Sequence, residues 1–134
     1  VPVTLINPDG IPRPEAYHQV AIATGTRQVH VAGQVARDAD GQPVAPGDLA
    51  GQAAQALRNV AIALAAAGAS FSDVVRLTVY VVDWKPEKLA DLMAGIGSVA
   101  EELQFVPAPA SLIEVVSLFE PDVLVEIEAT AVID

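Results

Sequence analysis

The clearest pattern in the chain lies between Val74 and Val82, where Val75, Leu77, Val79 and Val81 interleave with Arg76, Thr78 and Tyr80. A period of two is what a strand with one buried face requires. The same period runs through residues 17–23, with Tyr17, Gln19, Ala21 and Ala23 on one side and His18, Val20 and Ile22 on the other. Thr24-Gly25-Thr26 ends that run, and Val29, Val31 and Gly33 follow, so the two segments read as a hairpin. Asp38-Ala39-Asp40-Gly41 supplies a second turn, because Asp-Gly provides the positive φ that tight turns demand. A proline-punctuated loop over residues 42–47 completes an N-terminal antiparallel unit.

The period then changes. Leu57, Val60, Ala61 and Leu64 recur at helical spacing between Asp48, suited to accept from free N-terminal amides, and Gly68, suited to a left-handed stop. Pro86 fits the first turn of a second helix with an apolar stripe of Leu89, Leu92, Met93, Ile96, Ala100 and Leu103. Beyond Pro107 and Pro109, residues 112–118 and 123–132 read as two strands joined by a Glu120-Pro121-Asp122 turn. The order β-β-β-α-β-α-β-β predicts an α+β fold, one mixed sheet with two helices on one face and an opposite face that needs cover.

At 134 residues the chain is expected to form a single domain over 1–134. Hydrophobic residues reach 52% but aromatics only 4%, so the core must be built from Val, Leu, Ile and Ala. The absence of cysteine excludes disulfides and thiolate chemistry. A formal net charge of −10 repels a polyphosphate backbone, which argues against nucleic acid as a partner. No apolar run is long enough to span a bilayer and no leader pattern opens the chain, which predicts a cytoplasmic protein with no membrane partner.

Few local clusters carry chemistry. His18 and His30 lack neighbours at metal-ligand spacing, so no metal is expected. Gly95-Ile96-Gly97 lies inside a helical stripe and lacks the strand and third glycine of a dinucleotide site. No cofactor is expected. Ser70 and Ser72 read as local capping at a helix-to-strand turn.

Six segments do resemble one family in order. Glu15-Ala16-Tyr17-His18-Gln19-Val20-Ala21, Val29-His30-Val31-Ala32-Gly33-Gln34 and Asp40-Gly41 are followed by Gln55-Ala56-Leu57-Arg58-Asn59-Val60. Ala66-Ala67-Gly68-Ala69-Ser70 with Asp73-Val74-Val75-Arg76, and then residues 125–132 (Val-Glu-Ile-Glu-Ala-Thr-Ala-Val), complete the series. Each is weak alone, but their order over residues 15–132 resembles the YjgF/RidA family. That resemblance implies a chorismate-mutase-like fold, a homotrimer, and small-molecule clefts between subunits that hydrolyse enamines and imines. Some relatives carry ribonuclease or translation-inhibitor names, a reading the acidity disfavours.

The resemblance also implies site residues. Glu126 matches the glutamate that positions water or moves protons, Tyr17 closes the pocket, and the Ala32-Gly33 turn and Ser111 border the substrate. The alternatives are a solvated Glu126/Glu128 edge and a merely packed Tyr17. The departures are Ala32 for the family's turn serine and the loss of its arginine, since Pro107-Ala108-Pro109-Ala110-Ser111 stands where Pro-Ala-Arg is expected and Lys88 is the last basic residue. Without a guanidinium, carboxylate substrates lose a charge-assisted anchor. The expectation is an enamine/imine deaminase with weak or altered activity on carboxylates, or a non-catalytic small-molecule-binding trimer. An arginine reaching the cleft from elsewhere (Arg13, Arg27, Arg37, Arg58 or Arg76) would restore the carboxylate reading.

Overall fold

The computed structural model describes residues 3–134. Six strands and two long helices follow in the order β1 (Val3–Ile6), β2 (Val20–Ala23), β3 (Arg27–Gln34), α1 (Leu49–Ala66), β4 (Val74–Val82), α2 (Leu89–Leu103), β5 (Ala110–Val115) and β6 (Val125–Ile133). The strands form a two-stranded β1–β2 ribbon and a four-stranded mixed sheet in the order β3-β6-β4-β5. In that sheet β6 is antiparallel to β3 and β4, while β5 runs parallel to β4. The α+β class and the element order are as the pattern predicts.

Two pairings differ from the sequence reading. Residues 17–23 do not form a hairpin with β3: β2 pairs with β1, a strand of only four residues, and β3 pairs with β6 from Arg27↔Ile133 to Gln34↔Ile127. Four residues are too few to display a period, and a partner a hundred residues away leaves no local trace. The strand expected over 112–118 covers Ala110–Val115, and β4 lies between it and β6, so the Glu120–Asp122 turn carries the chain past β4 rather than closing a hairpin.

The helices form as their ends dictate. Asp48 accepts from the Gly51 amide at 3.1 Å, and Gly68 takes φ +79° just past the end of α1. Gly41 takes φ +78° in its turn, where Asp38 Oδ1 accepts from the Asp40 and Gln42 amides at 2.9 Å. On β6 burial alternates without a break: Val125, Ile127, Ala129, Ala131 and Ile133 are buried, and Glu126, Glu128, Thr130 and Val132 are half-buried. The buried side chains meet Leu57, Val60 and Leu64 of α1, Leu92 and Val99 of α2, and Leu77 and Val81 of β4. Phe71 and Phe105 close one end of this core edge-to-face with ring centres 5.2 Å apart.

Polar ties fix the entry into β6. Buried Gln52 of α1 donates to the carbonyls of Ala45 and Asp122 and accepts from the Leu124 amide. Arg37 pairs with Glu120 at 3.0 Å and Asp122 at 2.9 Å, and Asn59 donates to the Val35 and Arg37 carbonyls. The guanidinium holds the Asp122 carboxyl below its ordinary range, mainly through the hydrogen bond.

The two glycines of α2 have opposite surroundings. A Cβ at Gly95 would lie 2.2 Å from the Ala50 carbonyl oxygen, so the helices approach backbone to backbone there, whereas a Cβ at Gly97 would meet nothing within 4 Å. Gly95→Ala is therefore expected to destabilise the fold by about 1–3 kcal/mol through overpacking. Gly97→Ala is expected to stabilise it by up to ~1 kcal/mol through helix propensity. Urea midpoints compared at one protein concentration check both signs.

Candidate active site

The mixed sheet presents its helix-free face through alternate residues of each strand. Three cross-strand rows follow from the register: Ser111–Thr78–Glu128, Ile113–Tyr80–Glu126, and Arg76–Thr130–His30. The Tyr80 hydroxyl donates to Glu128 Oε1 at 2.7 Å, tying two of these rows together. That bond, followed by burial, raises the Tyr80 pKa.

Glu126 and Gly33 are brought together. In β3 the pairing passes from Val31↔Ala129 to Gln34↔Ile127, so Ala32 and Gly33 together face Glu128, the two-against-one arrangement of a bulge. A Cβ at Gly33 would sit 2.3 Å from Glu126 Oε2, so the carboxyl packs directly on the glycine and needs its bare Cα. Partial burial, and secondarily the charge of Glu128, raises the Glu126 pKa.

Tyr17 and Ser111 form a second pair. Tyr17 lies in the loop before β2 rather than within a strand, and His18 beside it holds that loop to β5's approach by donating from Nδ1 to the Pro107 carbonyl at 2.6 Å. Both Tyr17 and Ser111 line a cavity of about 460 Å³ between α2 and the β4–β5 edge. Ser111 stands two strands from Glu126, about 10 Å at ordinary strand spacing. The five predicted residues therefore fall into two groups: Ala32, Gly33 and Glu126 on the β3–β6 side, Tyr17 and Ser111 on the β5 side.

One of the five arginines reaches this region. Arg76 Nη2 donates to Ser111 Oγ at 2.5 Å, from β4 instead of β5. The other six basic side chains are engaged elsewhere: Arg13 with Asp9, Arg27 with the Asp134 carbonyl, Arg37 with Glu120 and Asp122, Arg58 with Glu102, and both lysines with Asp83. Among the described residues Arg76 has no ion-pair partner. It also borders a polar hollow of about 180 Å³ with His30, Thr78, Glu128 and Thr130. Sequence reasoning counted Arg76 only as one of five possibilities and left Thr78 and Tyr80 out of the site. The signal was their shared parity on β4 with Arg76.

Among the described residues no group of three or more His, Asp and Glu side chains could hold a metal ion, and no helix is long and apolar enough to cross a membrane.

The fold is thus α+β, with a bulged glycine against a half-buried glutamate and an arginine on the neighbouring strand β4. The family model described as Endoribonuclease L-PSP matches residues 11–133, and the chain belongs to this family, also called YjgF/RidA. It is 33% identical over 123 residues to a RutC family protein of Pyrococcus horikoshii, covering 92% of each chain. It is 32% identical over 131 residues to the 3-aminoacrylate deaminase RutC of Acinetobacter baylyi, covering 98% of each. Among solved structures, the Rid-family protein YyfB of Yersinia pestis superposes with a TM-score of 0.89 at 39% identity, over 99% of this chain and 100% of that one. TdcF of E. coli with bound serine gives 0.70 at 29% identity, over 96% and 94%.

Glu126 also yields a pH signature. With its folded pKa raised above the ordinary 4.5, the folded chain binds more protons than the unfolded chain just above that pH, so this group's contribution to stability falls as pH rises through the window. Glu126→Gln, which stays neutral, is expected to gain stability relative to the parent as pH rises from acid to neutrality. Urea denaturation across that range tests it; a difference independent of pH would refute the raised value.

Proposed function

We propose that this protein is an enamine/imine deaminase, a hydrolase that releases ammonia from small amino-acid-derived substrates, and that Arg76 serves as the carboxylate anchor. The observation that carries the reading is Glu126 packed on Gly33 at the β3 bulge with its pKa raised. A carboxyl so placed, half-buried against a bare glycine, suits proton transfer to and from a bound substrate. In the reaction water adds to the imine carbon while Glu126 takes its proton. Glu126 returns that proton to the nitrogen to give a carbinolamine, whose hydroxyl proton then passes through Glu126 to the amine as the carbon–nitrogen bond breaks, so that a carbonyl and ammonia leave. For an enamine, protonation at carbon by the neutral carboxyl first gives the imine.

The anchor follows from charge. A guanidinium whose only close partner is a hydroxyl has donors to spare for a carboxylate on the helix-free face of the sheet, beside Ser111. The deaminase name of the Acinetobacter relative and the serine bound to TdcF agree with a small substrate of this kind. The net charge of −10 weighs against RNA as substrate, whatever the family's printed name.

Assembly completes the site in this reading. A small substrate cannot bridge the two groups of residues about 10 Å apart on one sheet, so Arg76 with Ser111 of one copy meets Gly33 with Glu126 of the next in a homotrimer. Exposed apolar side chains at the β5 edge and the following loop support that contact: Leu112 and Ile113, with Val116 at 97% and Phe119 at 70% exposure.

Ammonia release from freshly generated 2-aminoacrylate is the test, and turnover clearly above the uncatalysed rate is expected. Arg76→Gln should lower kcat/KM by about 100-fold, chiefly through KM, if the ion pair contributes ~3 kcal/mol. Glu126→Gln should lower kcat by a similar ~100-fold. Gly33→Ala, whose Cβ meets only the end of a flexible side chain, should keep its fold and still lose at least ~10-fold through a displaced carboxyl. Unchanged kinetics in Arg76→Gln would remove it as the anchor. Light scattering is expected to report three chains at micromolar concentration, and a monomer would overturn the shared cleft.

A further inference from the structure

The hollow of about 180 Å³ on the helix-free face holds two opposite charges that do not meet. Arg76 and Glu128 both line it, yet the guanidinium donates to Ser111 Oγ while Glu128 accepts from the Tyr80 hydroxyl at 2.7 Å. Register sets their separation. Arg76 pairs with Thr130 and Glu128 with Thr78, so the two charged residues stand on the diagonal of an antiparallel pair, about 7–8 Å apart at the backbone. In a chain with seven basic and seventeen acidic side chains, such neighbours left unjoined mark a gap that a bridging molecule can fill. Thr78, opposite Glu128 and two residues from Arg76, lines the hollow at 8% exposure, and its hydroxyl has no hydrogen-bond partner among the described residues. Thr130 and His30 complete the rim, with His30 Nε2 donating to Gln28 Oε1 at 3.1 Å.

We propose that this hollow binds a small α-amino acid as its zwitterion, with the carboxylate on Arg76 and the Thr78 hydroxyl and the ammonium on Glu128. Charge selects among ligands. A simple anion would satisfy Arg76 but face the Glu128 carboxylate, and a simple cation would face the guanidinium. A neutral molecule would strip water from two charged groups and return no counter-charge. A zwitterion that carries both charges on one carbon answers both, and a charge-assisted hydrogen bond of roughly 2.8 Å at each end lets it span the diagonal. The site uses Glu128 and Thr78 where the proposed cleft uses Glu126 and Gly33, it lies within one chain, and it stands without the deaminase reading, with which it shares only Arg76.

Titration calorimetry on the full chain tests this with three molecules of one shape: alanine, propionate, which lacks the amine, and ethylamine, which lacks the carboxylate. Alanine is expected to bind at least ~10-fold more tightly than either. Glu128→Gln, close to isosteric, should bring alanine down to the level of propionate, and Arg76→Gln should bring it down to that of ethylamine. Thr78→Val should weaken alanine and propionate alike by about 5-fold. Glu126→Gln should leave the preference for alanine over propionate unchanged, and its loss there with retention in Glu128→Gln would put the amino acid in the cleft and overturn the hollow. Propionate binding as tightly as alanine, or no binding of alanine at all, would overturn the proposal while ammonia release from 2-aminoacrylate left the deaminase reading intact. The expected ranking without turnover on any imine would support the hollow and overturn the deaminase reading.

Discussion

Everything in this fold hangs on β6. It is hydrogen-bonded along both edges, to β3 and to β4, and its nine residues alternate without interruption between the helical core and the opposite face. A strand paired on both sides cannot slip by one residue without sending Val125, Ile127 and Ala129 to the open face and Glu126 and Glu128 into the core. The energy that keeps the core dry thus also aims the glutamates. Arg37 and Gln52 secure the start of the strand, so its register is set by polar ties at the entry and apolar contacts along its length.

The shortage of positive charge gives the site its other constraint. Seven basic side chains face seventeen acidic ones, so nearly every cation finds an anion or carbonyl nearby. Arg76 is shielded from that fate by strand geometry, since its neighbours across the sheet are Thr130 and, at the parallel edge, the residues around Ser111. A cation kept out of ion pairs in so acidic a chain retains its capacity for an outside anion.

Much of this was legible in the sequence where the pattern was long. The strand β4, the capped helix behind Asp48, and the charged alternation of β6 form as read, except that a register shift between Val74 and Arg76 buries Val74 in place of Val75. Gly33 and Glu126 were marked by motif, and the bulge explains why a glycine is needed opposite that glutamate. The failures share a cause. Val3–Ile6 is too short to show a period, and the pairing of β3 with β6 joins residues about a hundred positions apart. Arg76 was visible as an outward side chain on β4, but only the parallel register with β5, which sets Ser111 against Thr78, brings the two together. No periodicity encodes which strand lies next to which.

The close approach of α2 to α1 has a consequence for how such a fold can diversify. Gly95 pins the middle of α2 to the backbone of α1, so the helix cannot swing when its other face changes. The face around Met93, Ile96 and Gly97 is free of that restraint and forms the cavity wall. The rest of the wall comes from the sheet, with Leu77 and Val79 on β4 and Ala110 and Leu112 on β5. Single substitutions on that face of α2 can thus retune the size of the chamber without touching the polar face of the sheet, so hollow and polar surface can change on different parts of the chain.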